Sequence, residues 1–224
     1  EISKLNEVYG QISRDNLNIA TESIKEIDEN NLHNKYSKSY YTLCKLLILL
    51  KTKKKPESLI IDNLKALIDY PNCLQNTIIN FVEYVAFIHI SNYSSDKYDD
   101  TRILNFLYEK VKNNSISTDS LTFSYMPSTY SHISRRLGHI DEYEKSLVIS
   151  QKGIDWCLKY ENYNSLVHLL MFKCLSLKNL GRHEESLVSA RKVFALLFVE
   201  GNSTKTKKFE KTFETTFNMK VSEL

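Results

Sequence analysis

Glycine and proline are scarce in this sequence, since its 224 residues include 5 Gly and 3 Pro. An all-β chain of this length needs many tight turns, which these two residues usually supply. Their scarcity argues against a sandwich or barrel and favours helices. No stretch approaches the roughly 20 uninterrupted apolar residues of a membrane span, and there is no secretory signal peptide. We expect a cytoplasmic protein that does not contact a membrane.

Motifs of metal binding and catalysis are missing as well. The six histidines are scattered without the spacing of a zinc site, and no phosphate-binding or nucleophile motif is present. The chain has four cysteines, none in a Cys-x-x-Cys pair and most within apolar helical pattern: Cys44, Cys73, Cys157 and Cys174. Such residues are typical of reduced, buried thiols. The sequence therefore predicts no metal, no cofactor and no enzymatic activity.

Charge is weakly basic, with a formal net charge of +3 and 25% charged residues. This balance neither requires nor excludes an anionic partner. Lysines cluster at residues 51–55 and again at 205–208. We interpret both clusters as solvated loop or helix faces.

Two Leu-Gly pairs mark what looks like a repeated helical hairpin. Leu137-Gly138 and Leu180-Gly181 each follow a stripe of apolar residues at steps of three and four, and each precedes a polar turn and a second such stripe. Glycine just past the last apolar position ends a helix readily, because it enters the left-handed conformation without a Cβ clash. We therefore predict equivalent helix ends at Gly138 and Gly181, 43 residues apart.

This pattern predicts an all-α fold, a right-handed stack of tetratricopeptide-like helical hairpins with a C-terminal capping helix. We predict a single helical-repeat domain over residues 1–224, with about five hairpins in 1–200 and the capping helix at 203–218. Phe209 and Phe213 in that last helix are predicted to be buried against the preceding hairpin.

A groove is expected along the first helices of the hairpins, since these line the concave face of such a stack. Counting back from the two glycines selects positions beside the core stripe of two helices. A fifth helix, predicted from Leu74 to about Tyr93 and apolar nearly all round, adds three polar residues on one stripe. The predicted peptide-binding residues are Asn76, Asn80, Glu83, Tyr125, Ser128, His132, Arg135, His168, Met171 and Asn179. The alternative is an ordinary solvated helix face.

The final hairpin carries the clearest likeness to a known family. Its turn, from Leu180 to Leu187, reads Leu-Gly-Arg-His-Glu-Glu-Ser-Leu, and its first helix opens on Tyr163-Asn-Ser-Leu166. With the earlier hairpins and the capping helix, this arrangement resembles the peptide-sensing repeat region of Gram-positive quorum-sensing regulators of the PlcR, PrgX and Rgg type. The likeness covers most of the chain in architecture and is specific across about residues 121 to 217.

The resemblance implies the ligand-sensing and dimerisation domain of a cytoplasmic transcriptional regulator, which binds a short imported signalling peptide. Its implied partners are that peptide, a second copy of the chain, and DNA through an N-terminal helix-turn-helix domain. The chain opens at Glu1 without Met or a visible helix-turn-helix, so we expect the DNA-binding domain to be absent from it. Two alternatives remain: a stand-alone repeat adaptor that docks a protein, and an enzyme or a phosphatase-regulating repeat protein.

Overall fold

The computed structural model describes residues 1–93, 97–117 and 120–224. Within these ranges the chain is built from α-helices joined by short turns, which confirms the predicted all-α fold. The chain divides into two compact units, residues 1–122 and 123–224. The single domain over residues 1–224 stays a prediction. No helix in the described ranges has both the length and the apolar character needed to cross a membrane.

The first unit consists of helical hairpins packed around an aromatic core. Its helices are α1 (Ile2–Ser13), α2 (Leu17–Lys25), α3 (Lys35–Lys51), α4 (Glu57–Leu67), α5 (Phe81–Tyr93) and α6 (Lys97–Lys112). The fully buried ring of Phe81 meets the rings of Tyr9 and Tyr40 edge-on, with centroids 5.0 and 5.6 Å away. Edge-to-face contacts of this kind stabilise aromatic cores beyond simple burial. Most of α5 is buried, as predicted.

Helix α5 begins at Phe81 rather than at Leu74, which corrects the predicted boundary. The residues before it form a short 3-10 turn at Asn72–Gln75. Ile79 then makes an isolated parallel bridge to Ile116, donating to the carbonyl of Ser115 at 3.3 Å. The apolar residues around Ile79 recur at helical spacing, which is why a helix was predicted there. The backbone of Ile79 pairs with residues 115–117 instead and is not part of the helix.

The second unit continues the hairpin pattern. Its helices are α7 (Ser120–His139), α8 (Tyr143–Lys159), α9 (Leu166–Asn179), α10 (His183–Glu200) and α11 (Ser203–Phe217), and a 3-10 turn follows at Val221–Glu223. The first three residues of α7 fall in the first unit. Pro127 lies inside α7.

The two hairpins of the second unit repeat at 40 residues, not at the predicted 43. Asp141 and Gly181 hold the left-handed position after α7 and α9, with φ of 63° and 76°. The residue after each donates its backbone N–H to the carbonyl five positions earlier, at 3.0 and 2.9 Å. Gly138, the predicted terminator, lies inside α7. Aspartate can take the left-handed conformation through its short polar side chain, so the helix continues past Gly138 and ends before Asp141.

Buried serines follow the same 40-residue register. Ser146 in α8 donates from its hydroxyl to the carbonyl of Ser134 at 2.9 Å, and Ser186 in α10 donates to the carbonyl of Cys174 at 2.8 Å. Both serines are buried. A small side chain here lets the two helices of a hairpin approach closely, while the hydroxyl satisfies its own hydrogen-bonding demand.

Three helices of the second unit come together at Gly153 of α8. A Cβ atom on this residue would lie 2.6 Å from the Cβ of Tyr130 in α7 and 2.8 Å from Cδ2 of Leu169 in α9. Both distances are shorter than carbon–carbon contacts allow. The absence of a side chain therefore sets how closely α8 packs between α7 and α9.

Helix α11 packs beside α9 and α10. Phe209 and Phe213 are buried, as predicted, with 7% and 0% of their surfaces exposed. The ring of Phe209 meets His168 near the start of α9, and the amino group of Lys178 near its end donates to the carbonyl of Thr216. These two contacts show that α11 follows the direction of α9, as the first helix of a further hairpin would.

Candidate functional site

In the first unit, the structure brings together the three predicted residues Asn76, Asn80 and Glu83. The side-chain oxygen of Asn80 accepts from the backbone N–H of Glu83 at 3.0 Å. The Glu83 carboxylate accepts from the backbone N–H of Asn80 at 2.9 Å and from the Asn76 amide at 2.8 Å. This is a reciprocal cap of the helix N-terminus. The residues are therefore neighbours through the cap of α5 and not, as predicted, through one stripe of a continuous helix.

These residues line part of an open cleft of about 550 Å³ in the first unit. Lys35 of α3, Asp69 after α4 and Cys73 of the 3-10 turn also line it. Burial, Glu83 and Asp69 together raise the pKa of the Cys73 thiol to about 11. Because the thiolate is the reactive form of cysteine, this shift keeps the Cys73 thiol neutral at physiological pH, and the charged and polar groups of the cleft are amides, carboxylates and the Lys35 ammonium.

In the second unit, the predicted residues of α7 differ in exposure. Ser128 and Arg135 are exposed, and Tyr125 and His132 are half-buried. The hydroxyl of Ser128 lies 3.5 Å from the hydroxyl of Ser165, just before α9. Ser128 therefore lies on the α9 side of α7.

The predicted residues of α9 are placed less uniformly. His168 and Asn179 are exposed, whereas Met171 is 3% exposed and belongs to the core. Met171 was selected by treating Gly181 and Gly138 as equivalent helix ends. The 40-residue register shows that Gly181 is equivalent to Asp141 instead. In the corrected register, His132 and Arg135 of α7 correspond to Phe172 and Leu175 of α9.

A pocket of about 220 Å³ lies where α7, α8, α9 and α11 meet. Arg135 and Asn179 are the predicted residues that it brings together. Leu175 also lines it, as do His139 and Phe172, which sequence reasoning missed. Counting back from Asp141 in place of Gly138 would have found both, because His139 is equivalent to Asn179 in the 40-residue register and Phe172 is equivalent to His132. We call this the α7–α9 pocket.

Burial and neighbouring cations act on two histidines of the face that holds the α7–α9 pocket. Burial lowers the pKa of His139, and the charges of Arg135 and Arg136 lower it further. Burial also lowers the pKa of His168, with further lowering from Lys205, Lys208 and Arg135 against a smaller opposing effect of Glu200. Positive charge lowers the pKa of an imidazole by disfavouring its cationic form. Cations from α7 and α11 thus act on the same face of α9.

His168 is also held in place by α11. Its ring centroid lies 5.2 Å from that of Phe209, at an interplanar angle of 68°. The edge-to-face arrangement explains how an exposed imidazole is oriented at the start of α9. The face formed by α7, α9 and α11 therefore combines a pocket of mixed polar and apolar lining with an oriented histidine and basic residues.

Comparison with known proteins supports the fold. No protein-family profile matches the sequence, and no curated protein sequence matches it. Among solved structures, the chain is similar to the crystal structure of Bacillus thuringiensis PlcR in complex with the peptide PapR7 and DNA, with a TM-score of 0.62. The two share 14% sequence identity, and the match covers 91% of this chain and 72% of the PlcR chain. At that identity the likeness establishes a PlcR-like, all-helical fold.

Proposed function

We propose that this chain is the ligand-sensing and dimerisation part of a cytoplasmic transcriptional regulator, and that it binds a short imported signalling peptide. The observation that carries the proposal is the PlcR-like fold over 91% of the chain, since the PlcR structure holds a peptide and DNA. The α7–α9 pocket supports it, because a groove that combines donor groups with apolar contacts suits an extended peptide.

The proposal assigns different contacts to different partners. The peptide binds along the first helices of the hairpins, where Arg135 and Asn179 line the α7–α9 pocket. DNA is contacted through a helix-turn-helix domain on the N-terminal side of Glu1, and a second copy of the chain completes a homodimer. The coding sequence upstream of Glu1 tests the DNA-binding part directly, because a helix-turn-helix domain encoded there supports the regulator.

A randomised heptapeptide library, passed over the purified protein and followed by calorimetry on the retained peptides, tests peptide binding. Arg135→Ala should weaken binding roughly 10- to 150-fold, as expected for the loss of a charge-assisted hydrogen bond. Lys192→Ala, an exposed change on α10, serves as the matched control and should leave affinity unchanged. Equal affinities across the three proteins would remove Arg135 from the site.

Asn80 needs a different kind of control. Because its side chain caps α5, Asn80→Ala should cost about 0.5 to 2 kcal/mol of stability whether or not a peptide contacts it. Asn80→Asp or Asn80→Ser keeps the capping oxygen and removes the amide donor. A loss of affinity in these variants without a loss of stability would assign the amide to ligand binding.

A stand-alone adaptor is the second candidate function. A groove of about 370 Å³ between α8 and α10 supports it, because Leu158 and Val188 line this groove with 58% and 48% of their surfaces exposed. Exposed apolar side chains beside charged ones are typical of protein-docking surfaces. Retention of a folded protein partner that depends on Leu158 and Val188, without any retained peptide, would favour the adaptor.

A further inference from the structure

The described residues that line the α7–α9 pocket supply hydrogen-bond donors and a cation but no anion. Among the described residues that line it, Arg135 supplies a guanidinium, Asn179 an amide and Tyr143 a hydroxyl, and no carboxylate is present. Phe172 and Leu175 supply its apolar surface. A guanidinium pairs best with planar oxyanions, to which it can donate two parallel hydrogen bonds. The pocket is therefore suited to an anion with an apolar neighbour.

Two carboxylates close to the ends of α7 and α10 have hydrogen-bond or ion-pair partners among the described residues. The Asp141 carboxylate, at the turn after α7, accepts a hydrogen bond of 2.5 Å from the Tyr143 hydroxyl. Glu200 at the end of α10 is paired with Lys205 at 2.7 Å. Burial is the main cause of the lowered pKa values of His139 and His168, and neighbouring cations, Arg135 among them, lower both further. An incoming anion would interact favourably with these cations.

We infer that the α7–α9 pocket binds a carboxylate that stands next to an apolar side chain in the ligand, with Arg135 holding the carboxylate and Phe172 and Leu175 contacting the apolar group. The inference rests on the proposed function and deepens it, because it states which chemical group of a peptide enters this pocket. The carboxylate can belong to the C-terminus of a peptide or to an Asp or Glu side chain.

The volume of about 220 Å³ suits fragments of a peptide, so the test needs no natural ligand. Three probes separate the two sources of the carboxylate: N-acetyl-leucine, N-acetyl-Glu-Leu-amide and the neutral N-acetyl-Gln-Leu-amide. Each is titrated into the uniformly ¹⁵N-labelled chain and followed by chemical shifts of the backbone amides of Gly138, Leu175 and Asn179. At least one anionic probe should shift these signals, and the neutral probe should bind at least about tenfold more weakly.

Arg135→Gln should reduce the affinity of the anionic probe about tenfold or more, whereas Arg135→Lys should keep part of it, because the charge remains without the fork of donors. Lys192→Gln removes an equal charge from the exposed side of α10 and should not alter it. Raising the salt concentration should weaken the anionic probes and leave the neutral probe unchanged.

Equal binding of the charged and neutral probes would overturn the inference, as would an Arg135→Gln protein that binds the anionic probe as well as the wild type does. Binding of library peptides without any effect of their carboxylates would also overturn it, while the peptide-sensing function would stand. Anionic probes that bind in the pocket of a protein retaining no library peptide would support the inference and contradict the proposed function. The two failures are therefore distinguishable.

Discussion

Ser176 of α9 donates a hydrogen bond from its hydroxyl to the hydroxyl of Ser146 in α8, across 2.9 Å. Ser146 in turn donates to the backbone carbonyl of Ser134 in α7. This chain of hydrogen bonds is buried and runs from the second hairpin into both helices of the first. Buried hydroxyl groups of this kind are costly to leave without partners. Substitutions in this series of hydrogen bonds should therefore be sensitive to the packing between hairpins.

Removing one hydroxyl should therefore cost more than removing both. We expect Ser146→Ala to destabilise the protein by about 1 to 3 kcal/mol, since it deprives the Ser176 hydroxyl of its acceptor. The double variant Ser146→Ala, Ser176→Ala should be closer to wild type, because no buried donor is then left unpaired. Urea unfolding measures both changes, with the exposed Ser222→Ala as control. A double variant less stable than Ser146→Ala would contradict this account.

Two phenylalanines near the C-terminus form a matched pair for testing α11. Phe213 is fully buried, and Phe198 in α10 is 87% exposed. Phe213→Ala should cost about 3 to 5 kcal/mol through lost burial and a remaining cavity, whereas Phe198→Ala should stay within about 0.5 kcal/mol at a protein concentration low enough for the chain to be monomeric. Deletion from Thr204 onward should lower the melting temperature clearly. An unchanged melting curve would show that α11 does not contribute to stability.

Two glycines in helices should respond oppositely to alanine. Gly153→Ala places a methyl group against Tyr130 and Leu169, and we expect a loss of about 1 to 3 kcal/mol from overpacking. Gly10→Ala in α1 meets nothing within 4 Å and should gain about 0.5 to 1 kcal/mol, because alanine loses less entropy in a helix. Thermal unfolding decides the signs. Stabilisation by Gly153→Ala would disprove the close approach of the three helices.

His89 should make the protein sensitive to acid. Burial, with a smaller contribution from Lys51, lowers the pKa of its imidazole to about 4, and its Nδ1 has no hydrogen-bond partner among the described residues. The folded state therefore resists the proton that the unfolded chain accepts near pH 6.5. The free energy of unfolding should fall as pH drops from 6.5 towards 4, by an amount on the order of 1 to 3 kcal/mol.

Unfolding measured across this range checks the effect of His89. His89→Gln should show a shallower fall in stability between pH 6.5 and 4 than the wild type, and the exposed His33→Gln should show the same slope as the wild type. His139 and His168 also have lowered pKa values and should leave a residual slope of the same sign in His89→Gln. Identical slopes in the wild type and His89→Gln would exclude the role of His89.

The end of α10 is the surface from which we expect self-association. Phe198 and Val199 are adjacent, with 87% and 81% of their surfaces exposed, and a symmetric dimer is the commonest way to cover such residues. Sedimentation at micromolar concentration should give a mass twice the 26.1 kDa of the chain. Phe198→Lys should shift it towards monomer, and Ile19→Lys in the first unit should not. A wild-type monomer would exclude this homodimer.

Helical periodicity was sufficient to predict much of the fold, because burial of one stripe of each helix depends on spacing alone. It predicted the burial of Phe209 and Phe213 and the burial of most of α5. It placed the end of α9 correctly at Gly181 and the end of α7 wrongly at Gly138. Gly138 matched the preference for glycine at a helix terminus, yet Asp141 takes the left-handed position, and no short-range signal ranked the aspartate above the glycine.

Errors at helix ends explain the errors in the candidate site. A shift of three residues moved the count on α9 to Met171, which is buried, and away from Phe172. On α5, the spacing of Asn80 and Glu83 also matches the Asn-x-x-Glu signature of a helix start, which would have placed the boundary correctly. The depth of the α7–α9 pocket depends on how α11 packs against α9, and contacts so distant along the chain leave no periodic trace in the sequence.

The 40-residue register gives the α7–α9 pocket a direction. In this register Arg135 of α7 is equivalent to Leu175 of α9, and His139 is equivalent to Asn179. The two helices therefore repeat their backbone geometry but carry different side chains at equivalent positions. An extended ligand laid across them meets charge first and an apolar surface second, or the reverse, according to its orientation. A peptide of the same composition in reversed order would therefore place its carboxylate against leucine, which makes the reversed sequence a stricter control than a scrambled one.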